Sequence, residues 1–306
     1  MPTRRMALVD AFTTDPLSGN AAGVIPDAEG LSDHQQQAIA RELSVSETAF
    51  LSSSAEADRQ LRYFTPTQEI SLCGHATIAA HALLHEEGVI EAGSHSLQTD
   101  SGVLEVEIDD DGTVWMQQES STVTECDIDY DRLADALGTD PATLQDVGAD
   151  IPVARASTGL PVLIVPINFL ESLGGLQPDL AAIERLSEAH DVAGIYVFTF
   201  DTLSTDATAH GRFFAPAVGV DEDPVTGTAS GACAAYLDSV GSAAFDELDD
   251  ELRFEQGQFL DRGGLVRVRL ERAGSDGFVW VGGRAVTTVD GTLTVPEDDV
   301  DEIIEA

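Results

Sequence analysis

Two short motifs combine a glycine, a polar neighbour and an alanine-rich run, a pattern that could bind an anion. Gly74-His75-Ala76 opens such a run shortly after Pro66, and Gly227-Thr228-Ala229 opens another shortly after Pro216. A glycine and a polar residue before helix-forming residues predict the start of a helix. The first backbone amides of a helix lack partners within it, so each predicted helix start either binds an anion or needs a cap.

The segments before the two motifs are also alike. Arg62-Tyr63-Phe64-Thr65-Pro66 and Arg212-Phe213-Phe214-Ala215-Pro216 each predict an aromatic strand that ends at proline. Repetition of strand, loop and helix this far apart indicates two similarly built halves. Both alanine-rich runs contain few charges, so each helix is predicted to be buried and surrounded by a sheet. The predicted halves are 1–118 and 119–285, with a linker in 119–129 and with 286–306 returning to the first half.

The chain carries a strong negative charge. Its 306 residues include 55 acidic and 15 basic side chains, all of the latter arginine, which gives a formal net charge of −40. Hydrophobic residues make up 43% of the chain, which is enough for a folded core. Nucleic acids and anionic membranes need clustered cations, so the charge argues against both as partners. We interpret the acidic surface as an adaptation to high salt, which screens its self-repulsion.

Cysteine usage and the apolar runs bear on the compartment. Three cysteines, Cys73, Cys126 and Cys233, are too few for a disulfide framework in a chain of this length, which favours a reducing compartment. Asp10 interrupts the apolar run that would have to follow Arg4-Arg5 in an export signal. The longest apolar runs have the length of strands rather than of membrane helices. The sequence therefore predicts a cytoplasmic protein.

Possible metal and nucleotide motifs are weak. His81 and His85 are spaced for one helix face, but Ala82 stands where a zinc protease motif needs glutamate. Asp109-Asp110-Asp111-Gly112 lacks the spacing of a calcium loop. No phosphate-binding glycine pattern follows a strand. The sequence thus predicts no metal and no cofactor. The remaining histidines are predicted to lie at the surface: His34, His95, His190 and His210.

Five motifs follow one another along the chain: Val9-Asp10-Ala11-Phe12, Gly19-Asn20-Ala21-Ala22, Ser46-Glu47-Thr48-Ala49-Phe50, Leu72-Cys73-Gly74-His75-Ala76-Thr77 and Glu222-Asp223-Pro224-Val225-Thr226-Gly227-Thr228-Ala229. Taken together in this order they are specific, and through them the chain resembles the phenazine biosynthesis F-like family of the diaminopimelate epimerase-like superfamily. The resemblance extends from Val9 to Val286. It implies an α+β fold of two pseudo-symmetric halves, each a mixed, barrel-like sheet around a central helix, with the active site between them.

The resemblance also implies roles for individual residues. Glu47 would be the carboxylate that carries a proton, with His75 and Asp223 as its catalytic partners. Asn20 would orient the substrate. Relatives commonly form homodimers, so a homodimer is possible here. The other implied substrate-binding residues are Cys73, Gly74, Gly227 and Thr228.

These roles imply isomerisation of a small carboxylic acid by a 1,3 proton shift. Such a shift needs a base that reaches both carbon atoms and then returns the proton as an acid, and one glutamate can do both. The two helix starts would hold the substrate carboxylate with backbone amides. An arginine clamp is then not required, although Arg62 or Arg212 could assist.

Two alternatives remain open at the level of sequence. Racemases of this superfamily use two facing cysteines, but here the matching positions are Cys73 and Thr226, and a hydroxyl is a poor base without activation. Racemisation with two bases is therefore disfavoured, while a racemase, an epimerase or a dehydratase that uses Cys73 stays possible. The second alternative is a non-catalytic protein that binds a small acid at the helix starts.

Overall fold

The structure, a computed structural model, describes residues 2–148, 151–244, 248–271 and 278–297. The sequence predicts a solvated acidic helix after Pro296, and this segment lies outside the described residues apart from Glu297. The described helices are α1 (Asp33–Leu43), α2 (Gly74–Glu86), α3 (Tyr130–Leu137), α4 (Pro141–Gln145), α5 (Leu170–Gly174), α6 (Leu180–His190) and α7 (Gly227–Ala244). The described strands are β1 (Thr3–Ala11), β2 (Asn20–Ile25), β3 (Glu47–Ser52), β4 (Arg59–Phe64), β5 (Glu69–Ile70), β6 (Gly93–Thr99), β7 (Gly102–Ile108), β8 (Val114–Gln117), β9 (Thr122–Glu125), β10 (Ala154–Ser157), β11 (Val162–Pro166), β12 (Gly194–Thr199), β13 (Ala209–Ala215), β14 (Val220–Asp223), β15 (Glu251–Gln256), β16 (Gly264–Glu271), β17 (Phe278–Gly283) and β18 (Ala285–Thr294).

The chain divides into two units. Unit 1 comprises the described parts of Met1–Ala11, Ala21–Val114 and Ala285–Ala306. Its strand β2 runs parallel to β3, β3 antiparallel to β4, β4 parallel to β6 and β6 antiparallel to β7. Strand β1 pairs antiparallel with β18. Helix α2 packs against β1, β3 and β18, and every residue from Ala76 to Leu84 is buried.

Unit 2 comprises Phe12–Asn20 and the described parts of Trp115–Arg284. Strand β10 pairs antiparallel with β9 and β11, β11 runs parallel to β12, and β12 runs antiparallel to β13. Strand β13 runs parallel to β15, which is followed by the antiparallel pairs of β15 with β16 and β16 with β17. Helix α7 packs against β9, β10, β11, β16 and β17, with Ala232–Leu237 buried.

The two units repeat one topology. In unit 1 the parallel pairs are β2 with β3 and β4 with β6, and α2 lies between β5 and β6 in the chain. In unit 2 the parallel pairs are β11 with β12 and β13 with β15, and α7 lies between β14 and β15. The predicted α+β fold of two halves, each with a mixed sheet around a buried helix, is confirmed.

Two segments differ from the sequence-based description. The predicted linker 119–129 contains strand β9, which is hydrogen-bonded to β10. Because most of β9 is exposed, its sequence lacks the alternation of apolar and polar residues that marks a strand. Phe12–Asn20 belongs to unit 2, although it was placed in the first half. The Phe12 carbonyl accepts a hydrogen bond from Leu265 N, and Arg262 donates to the carbonyls of Ser18 and Gly19.

Local sequence explains how several helices begin. Ser32 caps α1, since its side chain accepts a hydrogen bond from Gln35 N while the Gln35 side chain accepts from Ser32 N. Asp129 caps α3 through its side chain, and Gly138 ends that helix with a φ of 66°.

In the described part of the chain, no helix is both long enough and apolar enough to cross a membrane.

The acidic side chains lie mostly at the surface. Among the described acidic residues, Asp10 and Glu255 are the ones that are buried. The carboxylates of a chain with a net charge of −40 therefore repel one another across its surface, and salt shortens the range of that repulsion.

We expect the melting temperature to rise by about 10 °C or more when KCl is increased from about 0.1 M to about 2 M, because screening removes this repulsion from the folded state. Thermal unfolding followed by circular dichroism measures the shift. NaCl at equal ionic strength serves as the control and should give the same shift. A melting temperature indifferent to both salts would contradict the high-salt interpretation.

Candidate functional site

Glu47 is the first residue of β3, where the buried part of the strand begins. Ala22 of β2 is its partner in the parallel pair, and Thr48–Leu51 are buried behind it. The Glu47 side chain itself keeps 17% of its surface exposed. The strand thus fixes the backbone of Glu47 in the core and leaves its carboxylate accessible.

His75 lies in the first turn of α2 and faces Glu47. Its Nε2 atom is 3.3 Å from Glu47 Oε2 and 3.4 Å from Ser46 Oγ. On the other side of the ring, Nδ1 is 3.4 Å from Cys73 Sγ. We call Glu47, Cys73 and His75 the unit 1 cluster. A thiol, an imidazole and a carboxylate are connected in series here, an arrangement that can position a carboxylate and pass protons.

Cys73 occupies the N-cap position of α2. Its side chain makes no capping hydrogen bond to the helix, unlike the caps of α1 and α3. The Cys73 carbonyl accepts a hydrogen bond of 2.7 Å from the Thr77 hydroxyl, which lies 2.6 Å from the hydroxyl of Tyr63. These buried contacts hold the start of α2 in place without using the Cys73 thiol.

The unit 2 cluster is formed by Asn20, Asp223 and Thr226. Asn20 Nδ2 donates hydrogen bonds of 2.9 Å to Asp223 Oδ1 and to the carbonyl of Val225. The Thr226 hydroxyl donates to the other carboxylate oxygen, Asp223 Oδ2. Thr226 and Asn20 thus engage both carboxylate oxygens of Asp223.

Gln256 completes the unit 2 cluster, although no sequence motif indicates it. Its Nε2 donates to the Asp223 carbonyl at 2.8 Å and to Thr226 Oγ1 at 3.1 Å, while its Oε1 accepts from Thr226 N at 3.1 Å. Gln256 is the last residue of β15 and only 1% exposed. In the sequence, Gln256 is only an uncharged polar residue at the end of a strand, and such residues are too common to indicate a site.

The two helix-opening glycines differ in their surroundings. A Cβ atom added to Gly227 would lie 2.9 Å from side-chain atoms of Phe12 and Val281, so packing alone requires glycine there. A Cβ atom added to Gly74 would meet nothing within 4 Å. The space next to Gly74 is therefore open, beside the unit 1 cluster. Thr228 follows Gly227, and its carbonyl accepts a hydrogen bond of 3.4 Å from the Thr158 hydroxyl.

The arginines considered as possible substrate ligands are engaged in ion pairs within their own units. Arg62 binds both carboxylate oxygens of Glu69 at 2.6 and 2.7 Å and lies over the ring of Phe64. Arg212 binds both oxygens of Glu222 at 2.8 and 2.9 Å and lies over the ring of Phe214. The same ion pair occurs in both repeats, between β4 and β5 and between β13 and β14. Both arginines hold the strand that precedes a buried helix.

The other histidines are not gathered at either cluster. His81 is buried in α2 with Nδ1 2.9 Å from the Thr77 carbonyl, and burial lowers its pKa to about 4. His210 was predicted to lie at the surface, but it is fully buried, with Nδ1 2.9 Å from Glu255 Oε2. Desolvation lowers the pKa of His210, while the Glu255 carboxylate acts in the opposite direction. His85 Nδ1 lies 3.2 Å from the Ile90 carbonyl, so no joint site with His81 is formed by these contacts.

A cation could be held at the unit 1 cluster. Glu47, Cys73 and His75 each offer one ligand atom, and these atoms lie within 4.8 Å of one another. Among the described residues, it is the one group of at least three histidine, cysteine or acidic side chains that are close enough together to hold a metal ion. The histidines spaced for a metal in the sequence, His81 and His85, are not part of this group.

Comparison with solved structures identifies the class of fold. A hydroxyproline epimerase from Agrobacterium vitis superposes with a TM-score of 0.58 at 16% identity, covering 96% of this chain and 91% of that protein. At this identity only the fold is shared, the diaminopimelate epimerase-like fold of two repeated halves. A phenazine biosynthesis protein of the PhzF family from Bacillus anthracis is much more similar, with a TM-score of 0.88 and 31% identity over 96% of this chain and all of that one.

The chain belongs to the phenazine biosynthesis-like protein family, PhzC-PhzF, which matches residues 9–291. The uncharacterized isomerase YfhB of Bacillus subtilis is 38% identical over 282 residues, which cover 90% of this chain and 94% of that protein. The predicted family is thus confirmed. The prediction of an enzyme of the isomerase class is confirmed at that general level.

Proposed function

We propose that the protein is a cofactor-independent isomerase that moves a proton between two carbon atoms of a small carboxylic acid, with Glu47 as the acid and base. The observation that carries this proposal is the pairing of a partly exposed Glu47 carboxylate with His75 Nε2 at 3.3 Å. Glu47 sits at the end of a core strand, so its position is fixed while its oxygen atoms stay within reach of a ligand.

The chemistry balances without an external oxidant or reductant. Glu47 takes a proton from one carbon of the substrate, the carbon–carbon double bond shifts, and the same carboxyl group returns the proton to the third carbon. His75, whose Nε2 atom lies 3.3 Å from Glu47 Oε2, would orient the carboxylate while the proton moves. The backbone amides at the start of α2 would bind the substrate carboxylate, since the Cys73 side chain does not cap them.

The proposal includes Asp223 and Asn20, to which the family resemblance assigns roles in the same reaction. Asp223 accepts hydrogen bonds on both carboxylate oxygens, from Asn20 and Thr226. Both of its oxygens are engaged as hydrogen-bond acceptors, so we assign Asp223 to orienting and polarising the substrate rather than to donating a proton. Asn20, at 2% exposure, is held by two hydrogen bonds from its amide nitrogen.

A screen for solvent exchange tests the proposed reaction. Small unsaturated and cyclic carboxylic acids are incubated with the protein in heavy water and molar KCl, and deuterium uptake is located by NMR. Because the Glu47 carboxyl group is partly exposed, its proton exchanges with heavy water between turnovers and during the slow step, so an isomerase places deuterium at a new carbon and moves the double bond. Deuterium at a stereocentre with loss of configuration would indicate an epimerase. Binding without any uptake across the panel would contradict catalysis and support a binding protein.

Replacement of Cys73 separates the glutamate mechanism from the cysteine alternatives. We expect Cys73→Ser to lower the exchange rate by less than about 10-fold, since serine keeps a polar contact to His75 while Glu47 remains intact. A cysteine base would instead lose at least about 100-fold, because a hydroxyl is a much weaker base than a thiolate.

Cys126→Ser is the matched control for this experiment. Cys126 lies outside both clusters, and its thiol contacts the Thr124 carbonyl. Its replacement should leave the exchange rate unchanged. If the exchange rate falls at least about 100-fold in Cys73→Ser but not in Cys126→Ser, then Cys73 and not Glu47 is the base.

A further inference from the structure

The unit 1 cluster brings together three different metal-binding side chains. Cys73 Sγ lies 3.4 Å from His75 Nδ1, and Glu47 Oε2 lies 3.3 Å from His75 Nε2. Sulfur, imidazole nitrogen and carboxylate oxygen are the ligands that Zn²⁺ takes in proteins. A soft thiolate also discriminates against Mg²⁺ and Ca²⁺, which prefer oxygen.

The spacing suits a tetrahedral ion after a small adjustment. Bonds of about 2.0 to 2.3 Å to zinc place neighbouring ligand atoms roughly 3.3 to 3.8 Å apart. One ligand atom from each residue already lies within 4.8 Å of the other two. Because one imidazole nitrogen binds the metal, either the thiol or the carboxylate must turn towards that side of the ring. Glu47 is partly exposed, and its side chain has the torsional freedom to do so.

The charges of the three side chains balance that of Zn²⁺, and the site leaves a coordination position open. A thiolate and a carboxylate carry two negative charges against the two positive charges of zinc, and the start of α2 stabilises negative charge at Cys73. When zinc binds, the Cys73 thiol forms a zinc–sulfur bond and releases one proton to solvent. Three protein ligands leave a fourth position for water or for the carboxylate of a solute.

We infer that the unit 1 cluster is a Zn²⁺ site with Glu47, Cys73 and His75 as ligands, and that zinc and the proton-transfer reaction compete for it. The competition rests on the proposed function, because a Glu47 carboxylate bound to zinc cannot take a proton from carbon. The site itself does not depend on that function.

Cobalt is the probe for the site, since Co²⁺ replaces Zn²⁺ and its bond to a thiolate absorbs in the near ultraviolet. The full chain is titrated with Co²⁺ and then Zn²⁺ in molar KCl, with excess Mg²⁺ to occupy sites made only of oxygen. We expect one equivalent of Co²⁺ to give the thiolate band and one equivalent of Zn²⁺ to remove it. A chelator competition then gives the zinc affinity.

Variants identify the ligands. Cys73→Ser should abolish the thiolate band and weaken zinc binding at least about 10-fold, and His75→Ala and Glu47→Gln should each weaken it to a similar degree. Cys126→Ser is the control and should keep the band. A band that survives Cys73→Ser, or the absence of stoichiometric binding in the wild type, would overturn the site.

Deuterium exchange measured with zinc and after chelation tests the competition. We expect stoichiometric zinc to suppress exchange and a chelator to restore it. Zinc binding with undiminished exchange would support the site and contradict the role of Glu47 as proton carrier. Loss of exchange in Glu47→Gln without any zinc binding in the wild type would support the proposed function and overturn the zinc site.

Discussion

We expect Glu47→Gln to lose almost all exchange of carbon-bound hydrogen with solvent, a fall in rate of about 10²- to 10⁴-fold. Glutamine has the size of glutamate and can still bond to His75, but its amide does not take up and return a proton near neutral pH. The substitution therefore removes the chemistry and keeps the contacts of β3 and α2. The initial rate of deuterium uptake, measured by NMR in heavy water and molar KCl, reports the effect.

The matched control is Glu42→Gln, which makes the same chemical change on an exposed residue of α1 in the same unit. It should keep the wild-type rate within about twofold, since surface substitutions away from a site have small effects. Urea unfolding of both variants checks that neither has lost its fold. If Glu47→Gln retains more than about a tenth of the wild-type rate, another group carries the proton.

The repeat of strand, loop and helix was predictable because its signals are local. The aromatic segments that begin at Arg62 and Arg212 form β4 and β13, and the glycines after them open α2 and α7. The shortage of charge in both alanine-rich runs predicted burial on all sides, and Ala76–Leu84 is buried throughout. Each of these features is encoded within a few residues of the element that it specifies.

The contacts that the sequence did not reveal are formed by pairs distant in the chain. His210 looked like a surface residue because its immediate neighbours are polar or small. Parallel pairing of β13 with β15 brings Glu255 beside it, and this partner makes burial of the imidazole possible. The same register places Gln256 next to Gly211 and so at the unit 2 cluster. No local pattern in one sequence specifies which strand will pair with β13.

The candidate site was predictable only in part for the same reason. The order of the motifs indicated Glu47 and His75, and the structure shows their contact at 3.3 Å. Cys73 was expected to touch substrate, but its contact with the far side of the His75 ring could not be inferred, since it depends on how the first turn of α2 directs both side chains. The hydrogen bond from Thr226 to Asp223 could not be inferred either, because the sequence does not specify how the chain turns between the end of β14 at Asp223 and the start of α7.

The second large effect concerns stability. We expect Arg212→Ala to lower the free energy of unfolding by about 3 to 5 kcal/mol, because it leaves Glu222 as an unpaired charge in a partly buried place. The Arg212 side chain is 9% exposed, and besides Glu222 it donates to the carbonyls of Leu173 and Leu176. Urea is the denaturant of choice in molar KCl, since guanidinium chloride would itself change the ionic screening.

Arg62→Ala is the matched comparison, since it removes the equivalent ion pair from the other repeat with the same change in net charge. The Arg62 side chain is 24% exposed and its second partner, Asp33, is 81% exposed, so water can solvate what remains. We expect a loss of about 1 kcal/mol. Equal losses in the two variants would mean that burial does not set the strength of these pairs.

Replacing both Arg212 and Glu222 shows how much of the lost stability comes from an unpaired carboxylate and how much from loss of the ion pair itself. The double substitution Arg212→Met with Glu222→Leu removes both charges, so it should recover much of the stability lost in Arg212→Ala. Recovery should stay incomplete, because the carbonyls of Leu173 and Leu176 still lose their donor. A double variant no more stable than Arg212→Ala would show that the unpaired carboxylate does not account for the loss, which would then lie in the lost carbonyl bonds and the contact with the Phe214 ring.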